Sequence, residues 1–495
     1  IEMGPGAGRE GGRILAQGTP EQIAVNPESR IAGFLTGREP SVIRERAAIP
    51  SLPADWTGPL PTDWAGQSPA ISGTSAAGVA SFPDIEEEDV AVAESDVDAE
   101  QSAVSCESAT NRRWLRMATA PVHTVRALDV AIPRGRLTAV TGVSGSGKTT
   151  MILESLVPAI EACTEDRPLP AHVTSIDPAG IDRVRIVDST PIGINVRSTL
   201  ATYSGVMDML RRAFAGTDAA RGKGYKVADF SYNTGSLRCP QCDGTGRVDL
   251  DIQFLPDVTI PCPSCEGRRF RAEADTVRLA TPTRPQGLTM PEVLALSVDE
   301  ALSVFDPKRA VKCEARDAGP AASNGSVAGG DNAVRAADAV RDADAVPAGR
   351  GDLIAPTLCR RIHAALETLS SLGLGYLTLG EDTPSLSGGE AQRLKLSNEL
   401  GRRQHTSMFV LDEPTTGLHP LDVRTLIGVL QRLLDGGATI VVIEHDLDMI
   451  ANADFVIDMG PGGGEDGGRI VAVGTPEDIA DNPDSLTGRY LKSVL

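Results

Sequence analysis

Residues Gly142 to Thr149 read GVSGSGKT, and the segments on either side decide what that stretch is. Before it, Leu137-Thr138-Ala139-Val140-Thr141 is an apolar run with the length of a buried strand. After it, Thr150-Met151-Ile152-Leu153-Glu154-Ser155-Leu156 spaces its apolar residues as a helix does. A glycine loop between strand and helix is the context a phosphate-binding loop requires. Gly142, Gly145 and Gly147 let the backbone aim N–H groups inward around a β-phosphate, and the helix start adds partial positive charge. Ser144, Ser146 and Thr150 complete the nucleotide-contacting stretch. Lys148 reaches the β- and γ-phosphates, and the Thr149 hydroxyl is placed to ligate Mg2+. A bound ATP is the expectation.

The 495 residues leave room for two or three domains. Aromatic residues make up only 3%, against 51 Gly and 34 Pro, so part of the length is expected to stay outside a packed core. No apolar run approaches the roughly 18 residues a membrane helix needs, and the first residues carry no apolar signal segment. A net charge of −20 excludes a uniformly basic nucleic-acid binder. The charge is uneven, however: Gly37 to Thr110 holds 14 acidic residues and 3 basic ones. Eight cysteines without a secretory signal point to a reducing, cytoplasmic compartment, where clustered thiols hold metal more often than they pair.

A long-period repeat frames the chain. GPGAGREGGRILAQGTPEQIAVNP from Gly4 and GPGGGEDGGRIVAVGTPEDIADNP from Gly460 align without a gap at an offset of 456 residues. Such a repeat means duplicated domains. Residues 1–36 are therefore expected to be the tail of a first ATPase unit, most of which is not in this sequence. Residues 37–112, acidic and rich in Pro, Ala and Gly, read as a disordered linker, and 311–352 as a low-complexity insertion. The expected ordered pieces are an ATP-binding core at 113–200, a subdomain with a cysteine module at 201–310, a region with a Ser-Gly-Gly turn at 353–400, and the returning core at 401–495. The fold class is α/β: a P-loop ATPase carrying an inserted subdomain.

Met408-Phe409-Val410-Leu411 is a second buried strand, ending in Asp412-Glu413-Pro414. Asp412 at the strand tip can hold Mg2+ through water, and the Glu413 carboxylate can polarise the attacking water. A third run, Ala438 to Ile443, ends in Glu444-His445-Asp446, which brings His445 within reach of a γ-phosphate. Ser385-Leu386-Ser387-Gly388-Gly389-Glu390-Ala391-Gln392-Arg393 then opens a helix expected at Glu390 to Leu400, another anion-binding helix start. This motif resembles the signature of ABC-type ATPases, and Leu418 to Asp422 resembles their D-loop. The resemblance implies that Lys148, Thr149, Asp412, Glu413 and His445 serve one nucleotide. Ser387, Gly388, Gly389 and Glu390 would then serve another, bound by an opposing unit.

Cys239-x2-Cys242 and Cys262-x2-Cys265, separated by 19 residues, have the spacing of a tetrahedral four-cysteine site for Zn2+. Four thiolates leave no open position, so the metal is expected to be structural. Between the pairs, Val248 to Leu255 alternates like a hairpin arm. From Arg221 to Arg247 there are five basic residues against two acidic, and Arg268, Arg269 and Arg271 follow the last pair. That local positive face suits phosphate-backbone contacts without base reading, or it is simply a solvated face. Tyr225, Phe230 and Tyr232 lie among these charges and either stack on bases or pack on the hairpin.

An ABC ATPase with a four-cysteine insertion between phosphate loop and signature is similar to the UvrA family of bacterial nucleotide excision repair. The phrases TGVSGSGKTT, GYKVADFSYN, CPQCDGTGRV, LSGGEAQRLKLSNEL and LDEPTTGLHPLD carry the resemblance, which covers nearly all of 113–310 and 353–495 plus residues 1–36. It implies ATP-dependent scanning of double-stranded DNA for damage, and dimerisation with a second copy or with a UvrA-like first half. It also implies hand-over of damaged DNA to UvrB, whose docking region belongs to the first unit and is expected to be missing here. The implied DNA-contacting surface maps onto Lys223, Lys226, Arg268 and Arg269. The chain departs from the family pattern at Ser189, which stands where the Q-loop glutamine belongs, so slow or loosely coupled hydrolysis is expected. No aromatic residue ahead of the phosphate loop is placed to stack on adenine. Two other readings stand beside this one: an ATP-binding regulatory paralogue, and the motor subunit of a transport or resistance system.

Overall fold

The computed structural model describes residues 1–4, 12–50, 113–188, 190, 192, 197–250, 258–308, 352–400 and 402–495. Ser189, the insertion at 311–352 (all but Asp352) and most of the linker at 37–112 lie outside the described residues. The strands, in chain order, are β1 (Glu2–Gly4), β2 (Arg13–Ala16), β3 (Trp114–Thr119), β4 (Leu128–Pro133), β5 (Leu137–Gly142), β6 (Val173–Asp177), β7 (Arg183–Val187) and β8 (Arg247–Leu250). There follow β9 (Val258–Pro261), β10 (Leu279–Thr281), β11 (Arg284–Leu288), β12 (Ser407–Asp412), β13 (Thr439–Ile443), β14 (Phe455–Gly460) and β15 (Arg469–Gly474).

Six of these form the central sheet in the order β15-β14-β5-β13-β12-β7, parallel throughout except for β15 against β14. Successive residues of its inner strands face opposite cores. Leu137, Ala139, Phe409, Leu411, Ile440 and Val442 pack on one side, and Val140, Met408, Val410, Val441 and Ile443 on the other. Both faces are covered, which is why these strands read as unbroken apolar runs. On the second side lies a helical stretch, π-wound over Thr150–Leu156 and α-helical over Val157–Thr164. It is enclosed by the antiparallel sheet β4-β3-β6, and Trp114 meets Phe455 edge to face at 5.6 Å between ring centroids.

The other side is covered by helices, chiefly Pro420–Asp435, Gly388–Ser397, Pro356–Leu369 and Val206–Ala215. Residues 201–308 and 353–400, expected as two regions, share one apolar core in which Phe214, Phe305, Ile362 and Leu366 are all fully buried. Because apolar residues of both segments fill that one core, they form one helical body. No helix among the described residues is long and apolar enough to cross a membrane.

The linker expectation needs correcting at its start. Residues 39–50 are docked on the second unit by a dense set of polar contacts. Asn452 Oδ1 accepts from the backbone N–H of Ile43 (2.9 Å) and Arg44 (3.2 Å), and its amide donates to the Ser41 carbonyl (2.7 Å). Arg44 pairs with Asp454 at 3.0 Å, both side chains almost fully buried. Composition marked 37–112 as one segment, but these contacts come from single residues that composition averages away.

Candidate nucleotide and metal sites

The phosphate loop leaves the carboxyl end of β5, beside the ends of β13 and β14, where ligands of parallel sheets bind. A cleft of about 570 Å³ is lined by Thr124, Gly142 to Gly145, Gly147 to Thr150, Glu413, Ile443 and His445. Two glycines are sterically required. A Cβ on Gly142 (φ +130°) would sit 2.0 Å from the Met459 carbonyl oxygen, and one on Gly147 (φ +100°) would sit 2.4 Å from Val125. Lys148 Nζ donates to the carbonyls of Gly142 (2.9 Å) and Val143 (3.0 Å), which holds the ammonium over the loop. Burial lowers its pKa, opposed by the carboxylates of Glu413, Asp458 and Asp412.

Asp412 ends β12, and burial followed by the charges of Glu413 and Glu444 raises its pKa. Glu413 has φ +44°, a left-handed backbone that costs a non-glycine residue roughly 1 kcal/mol and that clusters at functional sites. Its N–H donates to the Ile443 carbonyl at 2.9 Å, tying the end of β12 to that of β13. His445 is largely exposed at the cleft wall.

Two buried carboxylates carry contacts that the sequence did not assign to them. Glu444 is fully buried and accepts from the Thr415 N–H (2.8 Å) and hydroxyl (2.5 Å), the His445 N–H (2.7 Å) and the Asp446 N–H (3.1 Å). Asp458 accepts from Ser485 Oγ (2.6 Å) and Thr487 Oγ1 (3.0 Å), and burial raises its pKa. In the sequence Glu444 reads only as a strand-end acid beside His445, and Asp458 only as an acid inside an apolar run.

Ser387, Gly388, Gly389 and Glu390 do not line this cleft. They open the helix Gly388–Ser397, two residues earlier than the sequence suggested, because Ser387 and Glu390 form a reciprocal capping box. Ser387 N–H donates to Glu390 Oε2 at 2.7 Å, and Tyr376 donates its hydroxyl to the same carboxylate group. Further along, Gln392 Nε2 donates to the Val187 carbonyl (3.0 Å) and Lys395 pairs with Asp188 (2.5 Å). The signature helix is thus fastened to the residues just ahead of Ser189. In the D-loop, Asp422 pairs with Arg393 at 3.2 Å.

The four module cysteines are buried, and their sulfurs lie within 4.8 Å of one another. Cys239 and Cys262 are 3.9 Å apart, and Cys242 and Cys265 3.7 Å. A tetrahedron of Zn–S bonds of about 2.3 Å has edges of about 3.8 Å, so the donor set fits Zn2+. The separations are far too long for disulfides. Burial opposes ionisation of Cys239, but N–H groups of the knuckle prevail and pull its thiol down to about 7. Burial pushes Cys265 up to about 12. β8 and β9 form the expected hairpin arm, with residues 251–257 outside the described set.

The charged face differs from expectation. Arg269 is 6% exposed, paired with Asp382 and stacked over Tyr232, so it does not face DNA as the resemblance implied. Phe230 and Tyr232 are fully buried, which removes them as base-stacking candidates; Tyr232 gives its hydroxyl contact to Thr199 at 2.8 Å. Arg268 is held by Asp275 at 2.7 Å, and Arg238 by Asp243 at 2.6 Å. Lys223 and Lys226 remain exposed.

The chain is similar to known proteins from end to end. It is 35% identical over 500 residues to UvrABC system protein A of Mycobacterium bovis, covering 100% of this chain and 39% of that protein. Its identity to the same protein of Aquifex aeolicus is 34%, covering 100% of this chain and 41% of the relative. Among solved structures, UvrA2 from Deinococcus radiodurans matches with a TM-score of 0.69 and 34% identity, over 100% of this chain and 46% of that one. The chain therefore spans about two fifths of the length of the curated relatives it matches. No protein-family model matches it.

Proposed function

We propose that this chain, a relative of UvrABC system protein A along its whole length, is an ABC-type ATPase that contacts DNA in nucleotide excision repair. The observation that supports this best is one cleft lined by the phosphate loop, Glu413 and His445, in a chain that also carries the four-cysteine cluster. In this reading the loop N–H groups and Lys148 bind the ATP phosphates, while Thr149 and Asp412 hold Mg2+. Mg2+ supplies charge neutralisation at the β- and γ-oxygens. Glu413 orients and polarises the attacking water, and His445 contacts the γ-phosphate. Because the signature residues lie off this cleft, hydrolysis needs a second unit whose own Ser-Gly-Gly turn closes it. That unit is a second copy or a UvrA-like first half.

Zn2+ held by Cys239, Cys242, Cys262 and Cys265 keeps the two knuckles together and takes no part in the chemistry. Lys223 and Lys226 are the proposed phosphate-backbone contacts on damaged double-stranded DNA, with Arg268 a weaker candidate because Asp275 already neutralises it. UvrB, as recipient of the damaged DNA, is a partner of the whole protein in this reading, which places the chain in the cytoplasm. A regulatory paralogue is the second reading, favoured by Ser189 in place of the Q-loop glutamine. The deciding experiment is the ATPase rate of the purified chain with and without damaged duplex DNA across a salt series. Stimulation that fades as salt rises supports the repair reading. Nucleotide binding without turnover at any salt supports the paralogue.

A further inference from the structure

Two arginines of the cysteine module converge on one buried carboxylate at the entrance to the signature. Asp382, 7% exposed, pairs with Arg269, which follows the second knuckle, and lies 3.4 Å from Arg247 at the start of β8. Arg269 is fixed at both ends. Its backbone is left-handed (φ +66°), and its carbonyl accepts the Cys239 N–H at 2.9 Å, which locks it to the first cysteine of the opposite knuckle. Its guanidinium lies 5.2 Å from the Tyr232 ring centroid, and Nη1 is buried without a hydrogen-bond partner. Asp382 is equally constrained. Its backbone bridges to Thr199, its carbonyl accepts from Ser385 N–H (3.1 Å) and Oγ (2.7 Å), and the next residue, Thr383, donates its N–H to Ser198 (2.9 Å). Ser387, which caps the signature helix, follows within five residues.

We infer that Arg269 is a positioning residue, a strut through which the four-cysteine module sets the position of the signature turn. The inference rests on the ATPase reading for its consequence but not for its geometry. A cavity of about 260 Å³ lies at this seam, lined by Thr245, Arg247, Glu266, Arg269, Glu381 and Asp382. Beside that cavity the ion pair is a buried polar link between the module and the residues ahead of the signature turn. A buried pair of this kind holds its geometry because neither charge can be left alone out of water. A movement of the knuckles then displaces Asp382, and Asp382 carries Ser385 and Ser387 with it.

The test uses the full, zinc-loaded chain and compares Arg269→Gln, Asp382→Asn, Arg269→Lys and, as a control, Arg284→Gln. Hydrogen exchange of the amides of Gly388–Ser397 is the first readout. Arg269→Gln and Asp382→Asn, with zinc content unchanged, should each speed that exchange by about fivefold or more. Arg269→Lys should restore at least half of the protection, and Arg284→Gln, at an exposed position on β11, should change nothing. The second readout is steady-state kinetics: in Arg269→Gln the DNA-dependent change in kcat should shrink below about twofold while KM for ATP stays within about twofold. Wild-type exchange at the signature helix in a zinc-loaded Arg269→Gln chain would overturn the strut. A wild-type chain that neither hydrolyses ATP nor binds DNA would instead sink the proposed function, with the exchange result still deciding the strut.

Discussion

Thr415 gives both its N–H (2.8 Å) and its hydroxyl (2.5 Å) to one carboxylate oxygen of Glu444, whose other oxygen takes the N–H groups of His445 (2.7 Å) and Asp446 (3.1 Å). Four donors from two loops end on one buried side chain. The loop that carries Glu413 is thereby fixed to the loop that carries His445. Glutamine has a single acceptor oxygen, so in Glu444→Gln an NH2 group must face at least one pair of donors. Each buried donor left unmet costs roughly 1–3 kcal/mol. Glu444→Gln is expected to lower the thermal midpoint and to reduce kcat at least about tenfold through misplacement of Glu413 and His445. KM for ATP should change little, since the phosphate loop is untouched. Unchanged kcat in a folded Glu444→Gln chain would refute the brace.

Glu413 and Lys148 separate chemistry from binding. Glu413→Gln keeps shape and hydrogen bonding but removes the base, and general-base loss costs about 10²- to 10⁴-fold in rate. ATP should still bind. Lys148→Ala removes the half-buried ammonium that sits over the loop carbonyls, so nucleotide affinity itself should fall, by about a hundredfold. Equilibrium nucleotide binding alongside turnover distinguishes the two, and full turnover in either variant would refute the assigned roles.

The core of the site was legible because its signals are local. The loop after β5 and the acids after β12 and β13 sit at strand ends that continuous apolar runs announce, and the cysteine spacing is itself the geometry of the knuckles. What stayed hidden depends on distant residues. Arg269 reads as one more basic residue until Asp382, 113 positions away, is seen to neutralise it. Glu444 looks like a strand-end acid until Thr415 folds back over it. The same holds for Asn452 and Asp454, whose partners at Ser41 to Ala47 lie about 400 residues upstream.

The cysteine module should depend on its metal. Zinc analysis should find one equivalent per chain, and chelation should release the four thiols of Cys239, Cys242, Cys262 and Cys265 to a thiol reagent. Before chelation, Cys163 is the exposed thiol among the described residues. Structural zinc contributes folding free energy directly, so chelation should also loosen the β8–β9 hairpin and its neighbours. Cys262→Ser should reproduce that loosening without chelator. A module equally protected from exchange with and without metal would mean that its backbone hydrogen bonds suffice.

The docked segment at 39–50 offers two ion pairs of unequal weight. Arg44–Asp454 is buried, with side chains 6% and 0% exposed, and removing one partner strands the other at a cost of roughly 3–5 kcal/mol. Arg46–Glu477 is more open, at 24% and 51%, and a pair of that kind contributes about 1 kcal/mol or less after solvent screening. Arg44→Ala should therefore free the backbone of residues 41–48 to hydrogen exchange at neutral pH, and Arg46→Ala should do so only slightly. The pH dependence follows from Glu477. Burial alone would raise its pKa, but the Arg46 guanidinium prevails and holds it below the ordinary 4.5. A carboxylate with a lowered folded pKa contributes in full above the unfolded value and loses that contribution as pH falls through the folded one. Protection of the segment should thus be flat from pH 7 to about 5 and begin to decline below about 4.5, with the difference between wild type and Arg46→Ala vanishing at the acid end. A segment that keeps full protection in Arg44→Ala at neutral pH would show that it is held by the Asn452 contacts alone.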